Sequence, residues 1–423
     1  MSTCSIMEES REKALHDIGM SREFNLLNLV GTEMVQVRDL ARKVTYGGKT
    51  ETYPVYRVRL DALYYNDQND RISTWITRYE SENGLDSLKK LDRESYNQVI
   101  EKFICESNPE AIQRTKKNIE VVGQREPGVT LADGRIVDGN RRYTCLRKIQ
   151  TNKNEPIYFE TVIMNLDIQE DKKQIKLLEL SIQHGEEKKV DYDLIDYAIG
   201  TYRDVVLTKL ITIDEYAMST NETLAEVKRR IEIAELISEF LVYIKLPEQY
   251  HIAREYQVYS LFQEMMAPLH QLPNERKSEL KKIVFNNAIM KAMPDQRKFI
   301  RDIKNLIRND GYSLFFDKQK RIDKIIQTEM DGLCIQEKAD LDKFAENNTY
   351  ITEMLQSSME KALQKSRIQR LKNKPTEIVS KSIVSLTEID TKLLDKMSID
   401  EKEKLREQID ELCIAIEKLR KYI

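Results

Sequence analysis

The stretch ADGRIVDGNRRYTCLRKI, residues 132–149, holds the residues best placed to do chemistry. Two Asp-Gly pairs, Asp133-Gly134 and Asp138-Gly139, lie five residues apart, and the second runs straight into Asn140, Arg141 and Arg142. Short β-branched runs on either side of the first pair make it the turn of a hairpin. The second pair then falls where a strand ends and a helix begins. The opening N–H groups of a helix have no partner within it, and with the positive end of the helix dipole they form a ready anion site. Gly139 withholds a Cβ from that spot, while Arg141 and Arg142 bring forked donors that match phosphate oxygens in pairs. A plainer reading stands beside this one: Asp138 caps the helix, Gly139 makes the turn, and both arginines are solvated.

Such a site needs a sheet beneath it and a wall opposite. YPVYRVRL alternates Tyr56, Val58 and Leu60 against Arg57 and Arg59, the period of a half-buried strand, before NDQND breaks it. Helices are expected over 92–105 and 109–122, the second capped by Asn108, entered through Pro109 and stopped by Gly123. PIYFETVIMNL, 156–166, reads as a further strand. Beyond it the pattern is helix: 171–183, 191–208, 213–219, 222–242 and on to the end. The fold class is therefore α+β, a small mixed α/β domain followed by a large all-helical region. The expected divisions are an N-terminal extension over 1–52, the α/β domain over 53–166, helical domains over 167–245 and 246–330, and a C-terminal hairpin or coiled coil over 331–423.

In the extension, EESREKALHDIG reads as a short helix. GGKT, 47–50, reads as a loop, because Lys43 stands where a phosphate-binding loop needs its first glycine. At the far end Leu405, Ile409, Leu412, Ile416, Leu419 and Ile423 form an a/d seam. Its partner is either ITEMLQSSMEKALQKSRIQRL or IVSLTEIDTKLLDKM of the same chain, or a second copy.

Composition narrows the function classes. No apolar run is long enough to cross a bilayer, and MSTCSIMEESREK lacks a secretory pattern, so a cytoplasmic protein is expected. The five cysteines and four histidines lie too far apart for a zinc site or a disulfide framework. A net charge of −3 gives no global attraction for nucleic acid, so any such binding must come from a local basic surface.

The motif DGNRRYTCL resembles the Gly-Glu-Arg-Arg box of the ParB/sulfiredoxin superfamily, with Gly139, Asn140, Arg141 and Arg142 in its four positions. Upstream, YRVRLDALYYNDQNDRI is similar to the family's first strand and its Asn-Pro-x-Gln-Pro-Arg box, here Asn66 to Arg71 with both prolines missing. Downstream, LLELSIQHGEEKKVDYDLIDYAIGTYRDV resembles the Glu-Asn-Ile-Gln-Arg box, matched at Ile182 and Gln183. The resemblance covers about residues 53 to 240. It implies a cleft for CTP or another nucleoside triphosphate with Mg2+: Gly139, Asn140, Arg141 and Arg142 cradle the phosphates, Arg71 closes the cleft, and Gln183 and His184 complete it. Leu180, Ser181 and His184 replace the family's Glu, Asn and Arg, so the aligned carboxylate is lost and Glu179, one position away, is the remaining metal candidate. His184 suits either a proton-donating or phosphate-binding role, or a hydrogen bond at a helix end.

A helix-turn-helix follows the nucleotide domain in the family, and TIDEYAMSTNETLAEVKRRIEIAELI, 212–237, offers one, with Ala217, Asn221 and Val227 at the packing and turn positions. Contacts to DNA are then expected from Thr223, Lys228, Arg229 and Arg230, although Glu222 and Glu226 lead the second helix. The run KSRIQRLKNK, 365–374, adds non-specific contacts or is a solvated face. The resemblance implies a ParB-like, CTP-type nucleotide-dependent DNA-binding protein of plasmid, phage or mobile-element type, nucleoid-associated and a homo-oligomer through its C-terminal helices. Two alternatives share the scaffold: a phosphoryl-transfer enzyme or nuclease using Glu179, Asp138 and His184, and a catalytically silent interaction module.

Overall fold

The computed structural model describes residues 24–46, 49–67, 69, 72–168, 170–185, 193–308 and 312–423, the His184 side chain excepted. The expected helix at EESREKALHDIG, both glycines of GGKT, Arg71 and the side chain of His184 lie outside the described residues.

Six strands form one mixed sheet: β1 (Val35–Tyr46), β2 (Lys49–Arg59), β3 (Tyr64–Tyr65), β4 (Gly128–Leu131), β5 (Arg135–Asp138) and β6 (Tyr158–Met164), in the order β1-β2-β6-β4-β5-β3. β4 runs parallel to β6 and β3 parallel to β5; the other pairs are antiparallel. Both faces are covered. Phe159 and Ile163 of β6 pack with residues of α1 (Ser73–Asn83), α2 (Arg93–Ser107), α3 (Pro109–Val122) and α4 (Asn140–Gln150). Val162 and Met164, one step along the pleat, pack on Ile175, Leu178 and Ile182 of α5 (Lys172–Gly185).

Local chemistry sets the breaks between these elements. The Asn108 side chain accepts the Ala111 N–H, Pro109 opens α3, and Gly123 at φ 74° ends it. The hairpin turn between β4 and β5 requires Gly134, which has φ 93° and would place a Cβ 2.4 Å from the Ala62 carbonyl.

The sheet begins earlier than residue 53. Val35–Tyr46 and the extension from Lys49 on belong to the sheet, because β1 pairs along β2. Only Val35 and Val44 of β1 are buried, so a charged edge strand leaves little apolar alternation to read.

The remaining helices are α6 (Leu194–Tyr202, continued by a π-helical turn over Arg203–Leu207), α7 (Ile213–Thr220), α8 (Leu224–Tyr243), α9 (Tyr250–Glu255), α10 (Val258–Gln271), α11 (Asn274–Met290), α12 (Gln296–Arg308), α13 (Ser313–Asp331), α14 (Lys338–Asn347), α15 (Thr349–Thr387), α16 (Thr391–Leu394) and α17 (Ile399–Arg420). One apolar core runs from Ile195 to Met359, so packing crosses the expected divisions at 245 and 330. No described residue beyond Met359 is buried, and no helix among the described residues is long and apolar enough to cross a membrane. α5 is the link between the two regions, since Leu180 packs on Tyr216, Ala217 and Val227 of α7 and α8.

A second link is polar. Asp196 of α6 is 1% exposed and accepts from Ser73 Oγ at 3.0 Å and the Thr74 N–H at 3.1 Å, at the start of α1. Its other oxygen accepts from Arg254 of α9, whose Nε lies 3.2 Å from Asp193. Burial pushes the Asp196 carboxyl up to about 7, against the pull of Arg254. The native state therefore holds a proton there that the unfolded chain has released. The resulting stabilisation is complete below the ordinary value of 3.8 and is lost as pH rises through about 7. Urea unfolding across pH 4–8 should show this decline in the wild type and its loss in Asp196→Asn, which keeps an oxygen acceptor; an unchanged pH profile in the variant would contradict it.

Candidate functional site

A cleft of about 490 Å³ opens at the junction of β5 and α4. Asp138, Gly139, Asn140, Arg141 and Arg142 form its floor, Arg114, Thr115 and Asn118 of α3 its far wall, Gln124, Arg125 and Glu126 its rim, and Gln183 of α5 and Asn69 its remaining side.

The floor is set by a glycine and a carboxylate. Gly139 caps α4 at φ 102° with no side-chain hydrogen bond to the first turn, so Asp138 does not cap the helix. A Cβ on Gly139 would sit 2.7 Å from the Phe159 ring, so the glycine is needed against the sheet. Asp138 Oδ2 instead accepts from Arg42 at 3.0 Å and from Arg142 at 2.9 Å. The same two guanidinium groups donate to the chain across the rim, Arg42 to the Pro127 carbonyl at 2.5 Å and Arg142 to the Glu126 carbonyl at 2.7 Å.

This geometry revises the expected role of Arg142. Its donors hold the cleft together, and its side chain is 17% exposed. Arg141 borders the cleft, as do Arg114 and Arg125, both exposed. Arg114 and Arg125 have no ion-pair partner among the described residues. With Asp138 already neutralised, Glu126 is the other acid of the lining, and the balance is positive. Asn140 is 7% exposed, borders the cleft, and its Oδ1 has no hydrogen-bond partner among the described residues. A buried amide left in that state is suited to a ligand that completes it.

Gln183 also reaches the cleft and donates to Glu179 at 3.0 Å. Glu179 itself is 2% exposed, 3.7 Å from Lys176, which in turn is 2.9 Å from Asp204. Glu179, the expected metal candidate, is thus held inside a buried network with Lys176 and Asp204, and no group of three acid, His or Cys side chains that could hold a metal occurs among the described residues.

α7 and α8 meet at Asn221, which takes φ 53°, with Ala217 and Val227 buried as spacing required. Thr223 caps α8 and forms a reciprocal box with Glu226, so both are engaged at the helix start. Arg230 is corrected from a DNA contact to a core residue: it is 8% exposed, pairs with Glu222 at 2.6 Å and covers the Tyr197 ring at 3.7 Å. Lys228 and Arg229 remain on the surface.

Comparison with known proteins gives little. No family model matches the chain, and no curated protein matches it. Among solved structures, a Pnob8-like ParB-N domain aligns with 60% of this chain and 99% of its own, at 12% identity and a TM-score of 0.30. Similarity at that level defines no family.

Sequence reasoning missed Arg42, Arg114 and Arg125. Arg114 and Asn118 stand four apart on a helix ended by glycine, a usable signal for one polar face; nothing local marks Arg42, which arrives from the edge strand. The two classes of arginine should separate in stability. Urea unfolding should show Arg142→Ala destabilised by about 2 kcal/mol, because it strips partners from partly buried acceptors. Arg125→Ala should stay within about 0.5 kcal/mol of wild type.

Proposed function

We propose that the cleft binds a nucleoside triphosphate, of CTP type, and that the chain is a ParB-like DNA-binding protein of plasmid, phage or mobile-element type. The observation that carries this reading is the glycine-entered start of α4, which has no side-chain cap, in a cleft bordered by Arg114, Arg125 and Arg141. A helix N-terminus supplies N–H donors and a partial positive charge, and the arginines supply the full charges that a polyphosphate requires. The Asn140 side-chain oxygen, without a partner among the described residues, adds an acceptor for orientation. Magnesium enters with the phosphates and its own waters, because Glu179 is occupied elsewhere. Hydrolysis finds no support in that arrangement.

DNA is held by α7 and α8 in this reading. Of their leading acids, Glu222 is paired with Arg230 and Glu226 is tied into its capping box, and Lys228 and Arg229 face phosphates. Two copies join through α15 and α17. α17 carries the a/d seam with no residue buried, and Ile378, Ile383, Ile409 and Ile416 are all exposed apolar side chains. An isolated amphipathic helix of this kind gains its stability by covering that face.

Calorimetric titration with the four ribonucleoside triphosphates and magnesium tests the cleft. Binding is expected, weakened roughly 10-fold or more by Arg141→Ala; absence of affinity for all four would refute the reading. Sedimentation tests the assembly: a dimer is expected for the wild type and a monomer for Ile409→Glu with Ile416→Glu, whereas a monomeric wild type contradicts it.

A further inference from the structure

Several cations of the helical core sit in ion pairs with acids of neighbouring helices or turns. Arg276 lies against Glu279 and Asp317, Lys281 against Glu239, Lys282 against Asp323, and Lys291 and Lys338 against Asp342. α12 breaks that pattern. Its sequence QRKFIRDIKNLIR holds five cations, Arg297, Lys298, Arg301, Lys304 and Arg308, against one acid, Asp302. Four of them, Arg297, Arg301, Lys304 and Arg308, recur at steps of four, three and four, which places them on one helical face. The row is roughly 16 Å long at the rise of an α-helix. Arg297, Arg301 and Arg308 are exposed and Lys304 is half-buried.

The opposite face is fixed. Phe299, Ile300, Ile303 and Leu306 are buried in the core shared by the surrounding helices, so the cationic row is held outward. Among the described residues its one ion pair joins Arg301 to Asp295 at 3.9 Å, with both side chains mostly exposed. Like charges three and four residues apart repel along the row. A ligand with closely spaced negative charge relieves that repulsion.

We propose that the outward row of α12 is a second nucleic-acid surface, one that tracks the phosphate backbone of duplex DNA without reading bases. Duplex DNA presents about one charge per 1.7 Å of axis, the densest common polyanion a rigid row of this length can meet. An anionic membrane fits worse. A helix that lies in a lipid interface inserts its apolar face, and that face of α12 is committed to the protein core. The surface is independent of the nucleotide cleft and separate from Lys228 and Arg229 on α8.

The test uses the full chain and a 30-base-pair duplex of arbitrary sequence, with affinity measured by fluorescence anisotropy from about 50 to 200 mM salt. Arg297, Arg301, Lys304 and Arg308 are replaced together by Gln. Each lost phosphate contact should lower the slope of log affinity against log salt by about 0.9, so wild type should lose roughly 100-fold more affinity than the variant across that range. A control variant replaces Lys318, Lys320, Arg321 and Lys324 of the neighbouring α13 by Gln and should retain most of the wild-type slope. Unchanged affinity in the α12 variant, equal loss in the control, or binding of anionic vesicles but not duplex would each overturn the proposal. If Lys228→Ala with Arg229→Ala abolishes binding while the α12 variant leaves it intact, α8 carries the DNA and the α12 surface is rejected alone. Nucleotide titration of the same variants reads the cleft separately.

Discussion

Asp138 at the end of β5 holds the candidate site in shape. One of its oxygens accepts from Arg42, on the edge strand β1, and from Arg142, on the first turn of α4. Through the same two arginines the carbonyls of Glu126 and Pro127 are drawn to the floor. Four separate segments thus meet at one carboxylate. Two cations around one acid leave a positive excess, which partial burial strengthens because screening by water is reduced. The chain as a whole carries −3, so the positive potential at this cleft is a product of placement and not of composition.

How far the sequence discloses this depends on the range of the interaction. Local turn and cap chemistry is legible: Asn108, Pro109 and Gly123 bound a helix, Asp133-Gly134 makes a hairpin, and Asn221 takes the left-handed turn between α7 and α8. The strand-to-helix passage at Gly139 is legible for the same reason. The roles of the arginines are not, because a side chain's partner can be distant in sequence. Arg142 meets Asp138 four residues away, but the brace is completed by Arg42, 96 residues from Asp138. Arg230 looks like the third member of a basic run, yet Glu222 and Tyr197 take it into the core. β1 went unread because an edge strand buries few of its residues.

α5 and α1 join the cleft to the helical region. α5 offers Gln183 to the cleft on one side and Leu180 to α7 and α8 on another. α1 follows the loop that carries Asn69 and is fastened at its start by Asp196. The acidic network of Glu179, Lys176 and Asp204 lies beneath this route and fixes α5 to the π-helical turn.

The central claim is that the β5–α4 cleft seats a polyphosphate. A crystal structure of the chain with a non-hydrolysable nucleoside triphosphate and magnesium tests it most directly. The expected result is a phosphate chain against the first turn of α4, within hydrogen-bonding reach of Arg141 and at least one of Arg114 and Arg125, with Asp138 still held by Arg42 and Arg142. An empty cleft at saturating nucleotide, or a nucleotide bound elsewhere, would contradict it.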